Sequence, residues 1–423
     1  MNADRRLFMH HFQQLSSEFS RSSDVLHLTA NENVLSDAAK SMLTCPVHGR
    51  YHLGHVNKRE YRRSGVSALG LTSIALPAMH DFELEASRAA MKLFSASHVD
   101  LRPISGLHAM IVTISALTNK NDTVYCINPS QGGHFATTPI VERLGRQAAY
   151  LEWDDNKLDF DLIGIQNSFR SRAPDLIYVD HSCCLFSLNL IELRQIAGDS
   201  VPIVYDASHP LGLIAGGAFP NPLQYGCDVL QGNTHKTFPG PQKAAVFSNN
   251  EEIFQRIASA MDVMVSSQHS GDTLALYVTM LEMESFGVEY SKQILSNSRT
   301  LAKCLQDEGL NVTNIDGRHT DTHQLYLQDF SDNQHLSGTE RLLRCGLSVN
   351  AKRSLNTNVI RIGVQEITRR GLIEEHMTTI GKIISSCLFE KEETPSLRAA
   401  VKEIVDQAHL IKYSFDKNKI NYI

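Results

Sequence analysis

Residues 228–247 read DVLQGNTHKTFPGPQKAAVF. An apolar strand candidate, 228–231, runs into Thr234-His235-Lys236, a Gly/Pro turn follows, and a second apolar run begins at Ala244. A lysine closing a core strand has an ordinary reading, in which its stem covers apolar ground while its ammonium stays in water. It also has a chemical one: confined there, it can shed its proton and attack an aldehyde. Working outward, further β-rich runs fall at 123–128, 147–153, 175–179, 202–206 and 244–248, with helical periodicity between them at 107–117 and 190–197. That alternation predicts βαβ units and an α/β fold with a mostly parallel sheet. Ligands of such sheets sit beyond the carboxyl ends of the strands, which is where Ser182, Asp206, His209 and His235-Lys236 fall.

A change of character near residue 285 suggests three parts: an arm at 1–45, polar and partly helical before the extended LHLTANEN; a large domain at 46–285; and a smaller C-terminal α/β domain at 286–423. The net charge of −6 argues against a nucleic-acid-coating protein, which needs a basic excess to neutralise phosphates. With 42 % hydrophobic and 20 % charged residues, the chain has the mixture that buries a large core. No apolar run is long enough to span a bilayer, and MNADRRLFMHHFQQ lacks an apolar signal core, so a cytoplasmic protein without membrane contact is expected. The eight cysteines form no CxxC pair and no Cys/His run of zinc-ligand spacing; buried thiols and no metal are expected.

A Schiff-base lysine is how pyridoxal phosphate is held, and that cofactor has further needs. Asp206, ending the strand of VPIVYDASH, offers a carboxylate for the pyridinium nitrogen, although an Asp after a strand is as often a cap or turn residue. Ser105-Gly106-Leu107 precedes a helix whose free N–H groups could receive a phosphate, or it is an ordinary cap. His134, in QGGHF, could lie on the ring, and Arg361, in NVIRIGVQEITRRG, could grip a carboxylate bidentately. Each alone is bland. Their joint order is far more specific.

On LTANEN, SQGGH, YDASH, NTHKTFPGP and IRIGVQEITRRG, the chain resembles the pyridoxal-phosphate enzymes of the serine hydroxymethyltransferase-like group over nearly its whole length. The resemblance implies fold type I, aspartate aminotransferase-like, with Lys236 as the Schiff-base lysine, Asp206 as pyridinium partner and His134 as the stacking residue. It further implies Ser182 and His209 near the phenolic oxygen, Thr234 and His235 beside the lysine, Ser105 to Leu107 at the phosphate, and Arg361 with Asn31, Tyr51 and Tyr61 around the substrate. Gln268, in VSSQHSGD, falls where the family brings a neighbouring subunit's loop to the phosphate, which implies a homodimer with shared sites.

Departures from the folate-dependent members narrow the expectation. Their Tyr is followed two residues later by a glutamate that handles protons and folate; RYHLGH keeps Tyr51 but has Leu53, which cannot shuttle a proton. Asn31, Glu60-Tyr61 and Gln242 also replace family residues. These replacements are similar to the L-threonine transaldolases, which cleave L-threonine to acetaldehyde and a quinonoid glycine carbanion. That carbanion attacks a second aldehyde to give a β-hydroxy-α-amino acid, a reaction of natural-product pathways. The alternatives are a serine or α-methylserine hydroxymethyltransferase, a threonine aldolase, and, from another class, a catalytically idle regulator or scaffold. For the base that takes the β-hydroxyl proton, His52, His55, Glu60 and His134 stand as candidates, with His134 favoured. The segment 55–77, with Arg59, Arg62, Arg63 and Ser64, is expected to shape the acceptor aldehyde's access, or to be a solvated charged face.

Overall fold

The computed structural model describes residues 3–56, 76–328, 334–354 and 357–416. The Arg59–Ser64 cluster, Glu60 and Tyr61 lie outside them. The six strands expected in the sheet form as Thr123–Cys126, Gln147–Tyr150, Leu176–Val179, Ile203–Asp206, Val229–Asn233 and Ala244–Ser248. The first two are shorter than expected. Past Tyr150 the chain turns away, and Trp153–Asp154 pairs with Asp159–Phe160 in a separate hairpin. A seventh strand, His98–Asp100, was not foreseen, because three residues are too few to show alternation.

The sheet order runs from His98–Asp100 through Ala244–Ser248, Val229–Asn233, Ile203–Asp206, Leu176–Val179 and Thr123–Cys126 to Gln147–Tyr150. Ala244–Ser248 is antiparallel to both neighbours, and every other pairing is parallel. The reversal has a local cause. A short connection permits only a hairpin, and the turn after Val229–Asn233 is closed by Thr234 N–H donating to the Lys243 carbonyl at 3.0 Å and Gly240 N–H to the Thr234 carbonyl at 2.7 Å. Lys236 sits inside that hairpin.

Successive strand residues point to opposite faces, and both faces are buried. Tyr125, Ile177, Val179, Ile203, Tyr205 and Leu230 enter one core, while Val124, Leu176, Tyr178, Val204 and Val229 enter another, against the helices Gly106–Leu117 and Glu251–Met264. At about 1.5–3 kcal/mol for each fully buried aliphatic or aromatic side chain, these two layers are what hold the strand ends in place.

The helix Ser270–Asp307, 38 residues long, crosses residue 285 and packs on Pro77–Phe94 and on Glu374–Leu388. Beyond it, Gln324–Leu327, Thr357–Gly363 and Asn350–Ser354 form a three-stranded antiparallel sheet. The arm is tied to this part: after the helix Ala3–Ser22, Leu26–His27 pairs in parallel with Leu347–Ser348. Gln365 Nε2 then donates to the carbonyls of Thr29 and Glu32 at 2.7 and 2.6 Å, which carries Asn31 and Asn33 toward the sheet. Among the described residues, no helix is long and apolar enough to cross a membrane.

Candidate active site

The parallel strands end together, and their carboxyl-terminal loops enclose a cleft of about 600 Å³ of empty space. It is lined by Ser105, Gly106 and Leu107 from the loop after the edge strand, His134, Asp180 to Ser182, Asp206, Ser208, His209, Asn233 and Lys236. Thus residues more than a hundred positions apart in the chain meet because each follows a strand of one sheet.

Lys236 is 9 % exposed, and its Nζ lies 3.3 Å from His209 Nε2. Burial, opposed by the attraction of Asp206 and assisted by Arg361 and Lys352, lowers its pKa to about 8, so a substantial fraction is the neutral, nucleophilic amine near neutral pH. Asp206 is held as a carboxylate acceptor: the Tyr178 hydroxyl donates to Oδ2 at 2.9 Å and Ser208 N–H to Oδ1 at 3.0 Å. Gln231 Nε2 in turn donates to the Tyr178 oxygen at 2.7 Å, fixing the direction of that chain.

His134 is placed by backbone. Gly133 packs so closely that an added Cβ would lie 2.0 Å from the Ile127 carbonyl oxygen, so no side chain is tolerated before the histidine. Its N–H donates to Asp180 Oδ2 at 2.9 Å, and Ile127 N–H donates to Asp180 Oδ1 at 3.1 Å. Burial raises the Asp180 carboxyl to about 7. Burial also lowers the His134 pKa, leaving a neutral imidazole whose Nδ1 accepts from Ala136 N–H at 3.3 Å. Ser105 caps the helix Gly106–Leu117 by accepting from His108 N–H, and Gly106 N–H donates to Asn233 Oδ1 at 2.8 Å.

Arg361, 8 % exposed, lies in the strand Thr357–Gly363. Its Nη2 donates to two amide oxygens, Asn31 Oδ1 at 3.2 Å and Asn350 Oδ1 at 3.1 Å, and its Nε is buried without a partner. A buried guanidinium held by neutral amides, with a donor to spare, is a site for an anion. His209 packs ring on ring against His323 at 5.6 Å and receives Gln324 Nε2 on Nδ1 at 2.7 Å; burial holds it neutral.

Other sequence candidates lie elsewhere. The Thr234 hydroxyl donates to the Pro241 carbonyl at 2.7 Å within the lysine hairpin, and His235 is turned aside with Nδ1 buried and unpartnered. Tyr51 is 55 % exposed and does not line the cleft of its own chain. Gln268 sits in a separate buried cluster with His52 and Glu83, its carbonyl accepting from Lys243 Nζ at 2.8 Å. Of the proposed bases, His52 faces Glu83 at 2.9 Å and His55 faces the Val99 carbonyl at 3.0 Å, so only His134 among the described ones reaches the cleft. Sequence reasoning passed over Asp180, Asn233, Asn350 and Lys352. Of these, only Asp180, following a strand in YVDHS, carried a positional signal.

These groups fit pyridoxal phosphate: a buried lysine near neutrality, an oriented carboxylate, an imidazole held beside them, and a helix start at which Ser105, Gly106 and Leu107 line the cleft, Leu107 N–H being left over once Gly106 and His108 have bonded to Asn233 and Ser105. Fold and site together define a fold-type I pyridoxal-phosphate enzyme. Residues 6–384 match the family model described as serine hydroxymethyltransferase, and the chain belongs to that family. It is 37 % identical over 95 % of its length to a fluorothreonine transaldolase of Streptantibioticus cattleyicolor, of which it spans 63 %. It is 32 % identical to a serine hydroxymethyltransferase of Archaeoglobus fulgidus, covering 96 % of this chain and 93 % of that one. Among solved structures, an L-threonine transaldolase from Pseudomonas fluorescens superposes with a TM-score of 0.90 at 27 % identity, covering 100 % of this chain and 97 % of the other.

Proposed function

We propose that this chain is a pyridoxal-phosphate-dependent L-threonine transaldolase, releasing acetaldehyde from L-threonine and joining the remaining glycine unit to a second aldehyde to give a β-hydroxy-α-amino acid. The observation that carries this reading beyond the family is Leu53. It is buried beside the His52–Glu83 pair where the resemblance puts the proton- and folate-handling glutamate, and an alkyl group cannot carry a proton. Relatives bearing the transaldolase name at 37 % and 27 % identity support it.

When bound, the cofactor supplies an electron sink for the pair left by the broken Cα–Cβ bond. The chain's own groups do the rest. Lys236 would anchor the cofactor, and Asp206 would keep its ring nitrogen protonated. Arg361, with Asn31 and Asn350 fixing its guanidinium, receives the amino acid's carboxylate and limits the rotation of the donor. His134 exchanges a proton at the β-oxygen. To take the β-hydroxyl proton on Nε2 in the cleaving direction, the neutral ring carries its own hydrogen on Nδ1 and gives up the 3.3 Å bond from Ala136 N–H, at a cost of about 1 kcal/mol; the imidazolium so formed returns the proton to the aldehyde oxygen in the forming direction.

The active unit is taken to be a homodimer and the protein cytoplasmic. Tyr51, implied at the site by resemblance yet exposed and outside the cleft of its own chain, supports a neighbour's contribution, as does an exposed apolar stripe on Ala3–Ser22; Gln268 would serve a neighbour only by leaving its buried bonds to His52 and Glu83. A hydroxymethyltransferase acting on serine is the second reading, favoured by the name of the Archaeoglobus relative. The test is to give the purified holoenzyme L-threonine or L-serine, with and without benzaldehyde and with and without tetrahydrofolate, and to follow acetaldehyde and the new amino acid. Acetaldehyde release with a phenyl β-hydroxy amino acid, indifferent to folate, is expected. Turnover of serine that requires tetrahydrofolate, with threonine inert, would overturn the reading in favour of the second.

A further inference from the structure

Lys352 has so far entered only as a charge that helps lower the pKa of Lys236. It lies on Asn350–Ser354, where Asn350 stands directly opposite Arg361 across the strand pair and accepts from its guanidinium. Residues two apart on a strand share a face, so Lys352 faces the same way as Asn350. Its Nζ reaches over the cleft wall to Ser182 Oγ at 2.9 Å and Cys183 Sγ at 3.3 Å. Ser182 lines the cleft, and the ammonium's charge is felt by His134, His181, His209 and Lys236. A surface lysine would instead leave its ammonium in bulk water.

The charges of the site do not balance. Lys236, Arg361 and Lys352 face Asp206 and an Asp180 whose carboxyl is held near 7, and no carboxylate lies within ion-pair distance of Lys352 among the described residues. The proposed donor carries one carboxylate, which Arg361 receives, and the cofactor phosphate falls to the Ser105–Leu107 helix start. Lys352 is then left with two neutral partners and at least one N–H to offer. A half-buried ammonium held by a hydroxyl and a thiol gains most from a charged acceptor, because hydrogen bonds to ionised partners are about twice as strong as neutral ones.

We propose that Lys352 selects the second substrate: an aldehyde carrying an anionic group, carboxylate or phosphate, that reaches the ammonium beside Ser182. This rests on the transaldolase reading and names its acceptor class.

The experiment measures acceptor kcat/KM for the holoenzyme at saturating L-threonine with matched pairs, 4-formylbenzoate against benzaldehyde and glycolaldehyde phosphate against glycolaldehyde. Within a pair the donor half is common, so the ratio isolates recognition of the charge. The wild type is expected to favour the anionic member of at least one pair by about tenfold or more, the value of one charge-assisted hydrogen bond. The pair that shows it tells carboxylate from phosphate. Lys352→Met should erase the preference, chiefly through KM of the charged aldehyde. Lys352→Arg, which keeps the charge and controls for folding, should retain most of it. Unchanged ratios in Lys352→Met, or equal losses on charged and neutral acceptors, would overturn the proposal and leave Lys352 as a holder of Ser182. If the wild type condenses no aldehyde, the transaldolase reading fails and this inference with it.

Discussion

The reactivity proposed for Lys236 rests on three charges that act on a buried amine in opposite directions. Asp206 favours the ammonium, Arg361 and Lys352 oppose it, and desolvation outweighs all of them, leaving the pKa at about 8. Since the neutral amine is the nucleophile, cofactor-stripped protein should capture pyridoxal phosphate slowly below pH 8, with the rate rising through about 8 and levelling above it. Asp206→Asn removes the attraction and should move that inflection to lower pH; Arg361→Leu removes a repulsion and should move it higher. The growth of the yellow adduct against pH reads both, and an inflection indifferent to both substitutions would refute the balance. Lys236, Asp206, His134 and Arg361 could be singled out in the sequence through their joint order and the motifs around them, since only the lysine is an unusual type for its place at the end of a core strand. Asp180 showed a positional signal after its strand but not its partner, the backbone N–H of His134, 46 positions away, and nothing marked Lys352, which donates to Ser182, 170 positions away. Such pairings exist only once the sheet is built.

At the scale of elements, ITRRG shows how a motif can be recognisable while its physics stays hidden. Arg369 is fully buried, donating to Glu282 Oε2 at 2.7 Å in the middle of Ser270–Asp307 and lying over the Tyr290 ring at 5.8 Å. Phe415 N–H adds a bond to Glu282 Oε1 at 3.1 Å, so the pair clamps the long helix, the short helix Gln365–Arg369 and the C-terminal segment together. Arg369→Met leaves the Glu282 carboxylate buried and uncompensated, at a cost of about 3–5 kcal/mol. The double variant Arg369→Met with Glu282→Leu should recover much of that loss, because neither charge is then stranded. Urea unfolding of the three proteins measures it; a double variant no more stable than the single would show that packing, rather than the stranded charge, sets the loss. Periodicity announced the six sheet strands, the helices at 107–117 and 190–197, and a long helical stretch from near 285 through Cys304. It missed His98–Asp100, too short to alternate, and it missed that the long helix begins at Ser270, since its two ends pack against different partners.

At the scale of the molecule, the helix Ala3–Ser22 carries an apolar face that the described residues leave uncovered. Phe8, Phe12 and Phe19 are 65, 56 and 66 % exposed, with Leu15 between them, a spacing that lines them along one helix face. A contiguous apolar stripe in water marks an interface. In the homodimer proposed above, a second copy covers it and brings Tyr51 and Gln268 toward the neighbouring cleft. Phe12→Glu with Phe19→Glu places two charges in that seam and should shift the sedimenting species from twice 47.1 kDa toward 47.1 kDa at micromolar protein. The shared site makes a second demand: the dissociated variant should also lose pyridoxal phosphate on dialysis faster than the parent, with Lys236 and Asp206 untouched. A variant that stays dimeric would place the interface elsewhere. One that becomes monomeric yet keeps its cofactor as firmly as the parent would show that Gln268 contributes nothing across the interface, and that each chain holds its cofactor alone.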